Sequence, residues 1–142
     1  MLALSTPFAS RAQARTAMEV WKGPKCGCCK DWVTHMEKNG FSVRVHDDGN
    51  TDARERLKVP IAFGSCHTAS VGGYAIEGHV PAADVRRLLK ERPDAVGLAV
   101  PGMLIGSPGM DGPAYGKRKD PYDVLLIGAD GRSSVFSRYS SK

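Results

Sequence analysis

Apolar positions along the chain switch between strand-like alternation and helical spacing, and each switch marks an element. Met18-Glu19-Val20-Trp21 reads as a short strand, followed by a turn at Gly23-Pro24. From Cys28 to Asn39, Trp32, Val33 and Met36 recur at helical spacing, and Gly40 is the stop. Phe41 to His46 alternates apolar and polar residues as a half-buried strand does, Asp47-Asp48-Gly49-Asn50 is a turn, and Thr51 to Lys58 is a short polar helix. Strand, helix, strand, helix within about forty residues predicts a right-handed βαβ unit with parallel pairing.

The pattern then becomes more fragmented. In thioredoxin-like folds a proline before a strand faces the cysteines, often as a cis peptide, and Pro60, ahead of Ile61 to Cys66, is the candidate counterpart. Cys66-His67-Thr68 opens a run of small and β-forming residues, Ala69 to Ile76, which ends at Gly78. Pro81 to Glu91 is a helix with Val85, Leu88 and Leu89 inward and Pro81 in its first turn. Asp84 is assigned to surface pairing with Arg87, an interaction of little weight. Val96 to Val100 reads as a strand, and Pro101 to Met110 is too rich in glycine and proline to be helix or strand. Tyr122 to Ile127 and Ser134 to Tyr139 predict a hairpin across Ala129-Asp130-Gly131.

Composition adds limits. A chain of 142 residues makes one domain with a core that needs no staples. Its 42% hydrophobic and 25% charged residues are ordinary for a globular protein. The net charge of +5 is spread along the chain. Its one dense run, Lys117-Arg118-Lys119, has no recognition motif beside it, so nucleic-acid binding is not expected. No apolar run reaches the roughly 18 residues of a membrane span. Leu2 to Ala9 is a weak apolar segment, and Ala12-Gln13-Ala14 has the small-x-small form of an export cleavage site, although the usual positive start is missing. Residues 1–17 are therefore read as a signal-peptide remnant or tail, residues 18–142 as the domain, and the periplasm as the expected location.

The chemistry concentrates at Cys26-Gly27-Cys28-Cys29, which holds three of the four cysteines. A strand-to-helix turn sets these thiols over a helix N-terminus, where free N–H groups and the dipole favour thiolates, and Lys22, Lys25 and Lys30 act the same way. Two chemistries fit the spacing. Cys26 and Cys29 form the C-x-x-C of a redox pair, as in thioredoxin-like proteins. With Cys28 the cluster suits soft cations such as Cu(I) instead, because adjacent thiolates bridge ions more readily than they converge on one. A structural zinc or a plain disulfide with a spare thiol is the bland alternative.

These residues resemble the CopG-type copper-resistance proteins. The matching pieces are Cys26-Gly27-Cys28-Cys29-Lys30-Asp31-Trp32, Ser65-Cys66-His67-Thr68, Gly73-Tyr74 with Glu77-Gly78-His79-Val80-Pro81, and Gly102-Met103 with Gly106-Ser107-Pro108-Gly109-Met110. Leu104 departs from the proline expected after Met103. The resemblance implies a small exported protein with a thioredoxin-like domain, here a mixed sheet with flanking helices, extended by a C-terminal loop and hairpin. It further implies a copper site on Cys26, Cys28, Cys29 and Cys66, a redox role between Cu(I) and Cu(II), and other copper-resistance proteins as partners.

Four thiolates carry a charge near about −4, too much to bury uncompensated, so a polynuclear Cu(I)–thiolate site is the favoured form. Met103 and Met110 are soft thioethers in a loop where core packing explains them poorly, and both are candidate ligands. His67 and His79 are weaker candidates. His35 and His46 are read as structural or exposed.

Overall fold

The structure is a computed structural model, and it describes residues 14–140. The leader or tail reading of residues 1–17 falls mostly outside them, although Thr16 and Ala17 already belong to the first strand. The elements are β1 (Thr16–Lys22), α1 (Gly27–Lys38), β2 (Phe41–His46), α2 (Thr51–Arg56), β3 (His67–Val71), β4 (Tyr74–Gly78), α3 (Ala82–Glu91), β5 (Gly97–Val100), β6 (Tyr122–Ile127) and β7 (Ser133–Tyr139). They form a seven-stranded mixed sheet in the order β2-β1-β3-β4-β5-β6-β7. The β1/β2 and β4/β5 pairs are parallel and the others antiparallel. No helix among the described residues is long and apolar enough to cross a membrane.

Alternation along each strand sorts side chains onto two faces. Val20, Ala69, Ile76 and Leu98 lie in register across β1, β3, β4 and β5. They share a core with Trp32, Val33 and Met36 of α1 and Val85 and Leu88 of α3. Ala75, Ala99 and Ile127 belong to a second cluster, with Val59 and partly buried Leu57 and Phe63 from the segment after α2.

Three expectations need correction. No described peptide bond is cis, and Pro60 leads into a short 3-10 turn, Ile61–Phe63, rather than a strand. The run from Ala69 to Ile76 is a hairpin that turns at Gly72-Gly73, both with positive φ. Asp84 is not surface decoration. It is 4% exposed and accepts hydrogen bonds from the hydroxyls of Ser137 and, at 2.5 Å, Tyr139. Arg87 instead lies over the Phe136 ring, 3.5 Å from its centroid. Local spacing could not show this because Asp84's partners lie more than fifty residues away on β7.

Asp84 therefore ties the terminal hairpin to α3. Burial, followed by the Asp84 contact, holds the Tyr139 phenol well above its usual range. Replacing Asp84 by Ala is expected to cost about 2 kcal/mol, the scale of hydrogen bonds to a charged group. Urea unfolding checks the loss, and a change near zero would return Asp84 to the surface role.

Candidate metal centre

The site begins where β1 ends. The chain turns through Gly23 to Lys25, with the Cys26 N–H donating to the Gly23 carbonyl at 3.2 Å, and enters α1 with Cys26 as N-cap residue. Cys26 makes no side-chain cap bond, and the first turn of α1 contains no acidic residue. The free N–H groups and positive dipole end of the helix are thus left to the sulfurs. Cys26 and Cys29 are joined by a disulfide, while Cys28 and Cys66 are free thiols.

Cys66 arrives from a separate part of the chain. The antiparallel register sets Lys22, the last residue of β1, opposite His67, the first of β3. Cys66 therefore enters beside the cysteine turn. The four Sγ atoms of Cys26, Cys28, Cys29 and Cys66 all lie within 4.8 Å of one another. Cys66 lies off the helix terminus, just before β3. Burial, with Cys28 close by, pushes its thiol up to about 11.

A second donor group shares Cys66. The ligating atoms of Cys66, His67 and His79 also lie within 4.8 Å of one another. Nδ1–H of His79 donates to the Pro108 carbonyl at 2.7 Å, which leaves the Nε2 lone pair facing the Cys66 Sγ at 3.2 Å. Such a backbone bond sets the tautomer and orientation of a ligating histidine. His67 is fully buried, 4.4 Å from the Trp32 ring and with Nδ1 3.4 Å from the Cys66 Sγ. Burial, then the neighbouring His79, lowers its pKa to about 3, and its Nε2 has no hydrogen-bond partner. His35 and His46 stand apart. His35 Nε2 accepts from the Ala82 N–H at 3.1 Å, and His46 stacks on Trp21 and meets the Glu19 carboxylate at 3.1 Å.

The Gly/Pro loop closes over the site. Gly109 has φ +88°, and a Cβ there would lie 2.7 Å from the Cys28 carbonyl and 3.0 Å from His79 Nδ1. Only glycine allows this loop so close to the helix start. Met110 is buried, and its sulfur takes the Tyr115 hydroxyl at 3.6 Å. Met103 is 52% exposed, and the neighbouring Gly102 carbonyl accepts the Ser65 hydroxyl at 2.9 Å. Leu104 packs partly buried against the main core.

Lys25 and Lys30 are exposed, while Lys22 is buried and paired with Asp47. A buried polar group beneath Ser65 was missed from the sequence. Glu77, with no exposed surface, accepts from Arg54 Nε at 2.9 Å, the Ser65 N–H at 2.8 Å and the Thr68 hydroxyl at 2.6 Å. Burial is the largest influence on its carboxyl and raises its pKa, while these donors act in the opposite direction. The available signal was a carboxylate inside the apolar run Tyr74 to Gly78.

A family of proteins of unknown function, DUF411, matches residues 63–110, the part that carries Cys66, both histidines and the loop. No curated protein matches the chain. Two solved structures do, and both are of copper resistance protein CopG. The first is 47% identical, with a TM-score of 0.81, over 89% of this chain and 99% of that one. The second is 48% identical, with a TM-score of 0.80, over 88% and 98%. With this identity over nearly the whole length of both chains, and with a cysteine cluster able to bind metal, the chain belongs to the family of copper resistance protein CopG.

Proposed function

We propose that this protein binds copper in copper resistance or homeostasis, holding Cu(I) on Cys26, Cys28, Cys29 and Cys66, with a redox role between Cu(I) and Cu(II). The observation that carries the reading is the convergence of four sulfurs within 4.8 Å at an uncapped helix N-terminus. The donor set fits a soft monovalent cation, since thiolates and thioethers select Cu(I). The Cys26–Cys29 bond must open first, by exchange with an external dithiol that supplies two electrons and two protons and leaves as its own disulfide. Four sulfurs that each lose a proton then present more negative charge than one monovalent ion offsets, which favours several ions bridged by sulfur. His79, with Nε2 directed at Cys66, is the nearest nitrogen donor to that set. Met110 and Met103 remain candidate thioether ligands on the covering loop.

The order β1–α1–β2, then the β3–β4 hairpin and α3, supports a thioredoxin-like core extended by the loop and the β6–β7 hairpin. The apolar Leu2 to Ala9 segment and Ala12-Gln13-Ala14 support export to the periplasm. Other copper-resistance proteins are the proposed source or recipient of the metal.

A second reading has its own observation. Cys26 and Cys29 are bonded while Cys28 and Cys66 are free, as in a thiol–disulfide oxidoreductase with a resolving thiol nearby.

The two readings separate on the reduced protein under anaerobic conditions. Copper binding is expected at several Cu(I) equivalents per chain, with all four cysteines shielded from alkylation in mass-spectrometric counting. Cys28→Ser is expected to lower the stoichiometry more than the folding stability. Uptake of a single zinc with no copper would sink the polynuclear site. Shielding of Cys26 and Cys29 alone would favour the oxidoreductase.

A pH dependence follows from Cys66. Its folded pKa of about 11 lies above the ordinary 9.0, so the unfolded chain loses this proton first. The resulting stabilisation is complete below about pH 9 and is lost as pH rises towards 11. In the folded, metal-free protein, alkylation of Cys66 should keep accelerating beyond pH 10, whereas in denaturant it should level off near pH 9. Levelling off at the same pH in both states would show that burial does not control this thiol.

A further inference from the structure

The donor set depends on one residue that enters from outside the helix terminus. Cys66 is fixed through its neighbour Ser65, whose backbone is bonded at both its N–H and its carbonyl. The Ser65 N–H donates to the Glu77 carboxylate at 2.8 Å. The Ser65 carbonyl accepts from Arg54 Nη2 at 2.7 Å and from Asn50 Nδ2 at 3.1 Å. Glu77 and Arg54 also pair directly at 2.9 Å, so the two peptides that flank Ser65 are gripped by one connected group.

Packing narrows the position further. Gly78, with φ +75°, lies so close beneath Ser65 that a Cβ on it would come within 2.9 Å of the serine Cβ. The Ser65 hydroxyl meanwhile holds the Gly102 carbonyl at 2.9 Å, next to Met103. None of Asn50, Arg54 or Glu77 has a sulfur or an imidazole to offer the metal. A buried charge pair is a costly way merely to stabilise a fold, since well-packed apolar residues often do as well.

We infer that Asn50, Arg54 and Glu77 are positioning residues that clamp the Ser65 backbone on both sides of its Cα and so hold the sulfur of the adjoining Cys66 in the donor set. The inference rests on the copper-binding reading above. The clamp acts through the backbone next to the ligand. Partners that orient a ligating residue typically govern affinity by about 10–100-fold.

The test uses the full chain, reduced and anaerobic, in competition with a chromophoric Cu(I) chelator. Glu77→Gln keeps the shape and removes the charge. Asn50→Ala leaves the buried pair intact and removes only the amide, so it serves if Glu77→Gln fails to fold. Both are expected to weaken Cu(I) retention about 10–100-fold. Both should also raise the alkylation rate of Cys66 relative to Cys28 in the metal-free protein, which a general loss of stability would not do selectively. Arg54→Lys, which keeps the charge but not the paired donors, should weaken retention as well. If folded variants retain copper as the parent does, with an unchanged Cys66-to-Cys28 ratio, the clamp is overturned. If Glu77→Gln unfolds and Asn50→Ala changes neither readout, the clamp is likewise overturned. If the parent chain takes up no Cu(I), the copper reading fails, and the alkylation ratio still decides whether the clamp holds Cys66.

Discussion

The antiparallel pairing of β1 with β3 is the constraint on which the site depends. Because Lys22 faces His67, the chain entering β3 at Cys66 arrives where the chain leaving β1 turns towards Cys26. A slip of one residue would send His67 to the opposite face of the sheet, away from Trp32. The buried rows that flank this register, Val20 with Ala69 and Ile76 with Leu98, make such a slip expensive. The core therefore holds Cys66, which has no covalent link to the others, beside the cysteine turn.

Around that register the protein buries several polar side chains. Glu77, His67, His79 and Thr68 have no exposed surface. Three of them are satisfied by specific partners: Glu77 by Arg54, Ser65 and Thr68, Thr68 by Glu77, and His79 by the Pro108 carbonyl and Cys66. His67 Nε2 is not satisfied. Buried polar groups without partners are costly, and groups of this kind concentrate at functional sites. The covering loop contributes in the same sense. Gly109 brings its backbone against the start of α1 and against His79, so the helix terminus, an imidazole and the loop meet at one point.

Much of the local structure was legible in the sequence. The helical spacing of Trp32, Val33 and Met36, the alternation from Phe41 to His46, and the Gly/Pro texture after Val100 each predict the element observed. These are short-range signals, written by which side of an element must be apolar. The crowding of Cys26, Cys28 and Cys29 was equally plain, because residues so close in sequence at a helix start cannot be far apart in space. The family resemblance rests on motifs of the same local kind.

How distant pieces meet is set by the fold. It gave Asp84 its partners on β7, turned the run after Cys66 into a hairpin, and set Arg54 of α2 against both the Ser65 carbonyl and Glu77. The physical reason is that hydrophobic periodicity states which face is buried but not what is buried against it. A carboxylate in an apolar strand signals a partner without naming it. Local spacing shows that this chain carries a cluster of sulfur donors at the start of a helix. The fold decided that a fourth sulfur and two imidazoles join it, because strand register, rather than any local pattern, sets distances between residues forty positions apart.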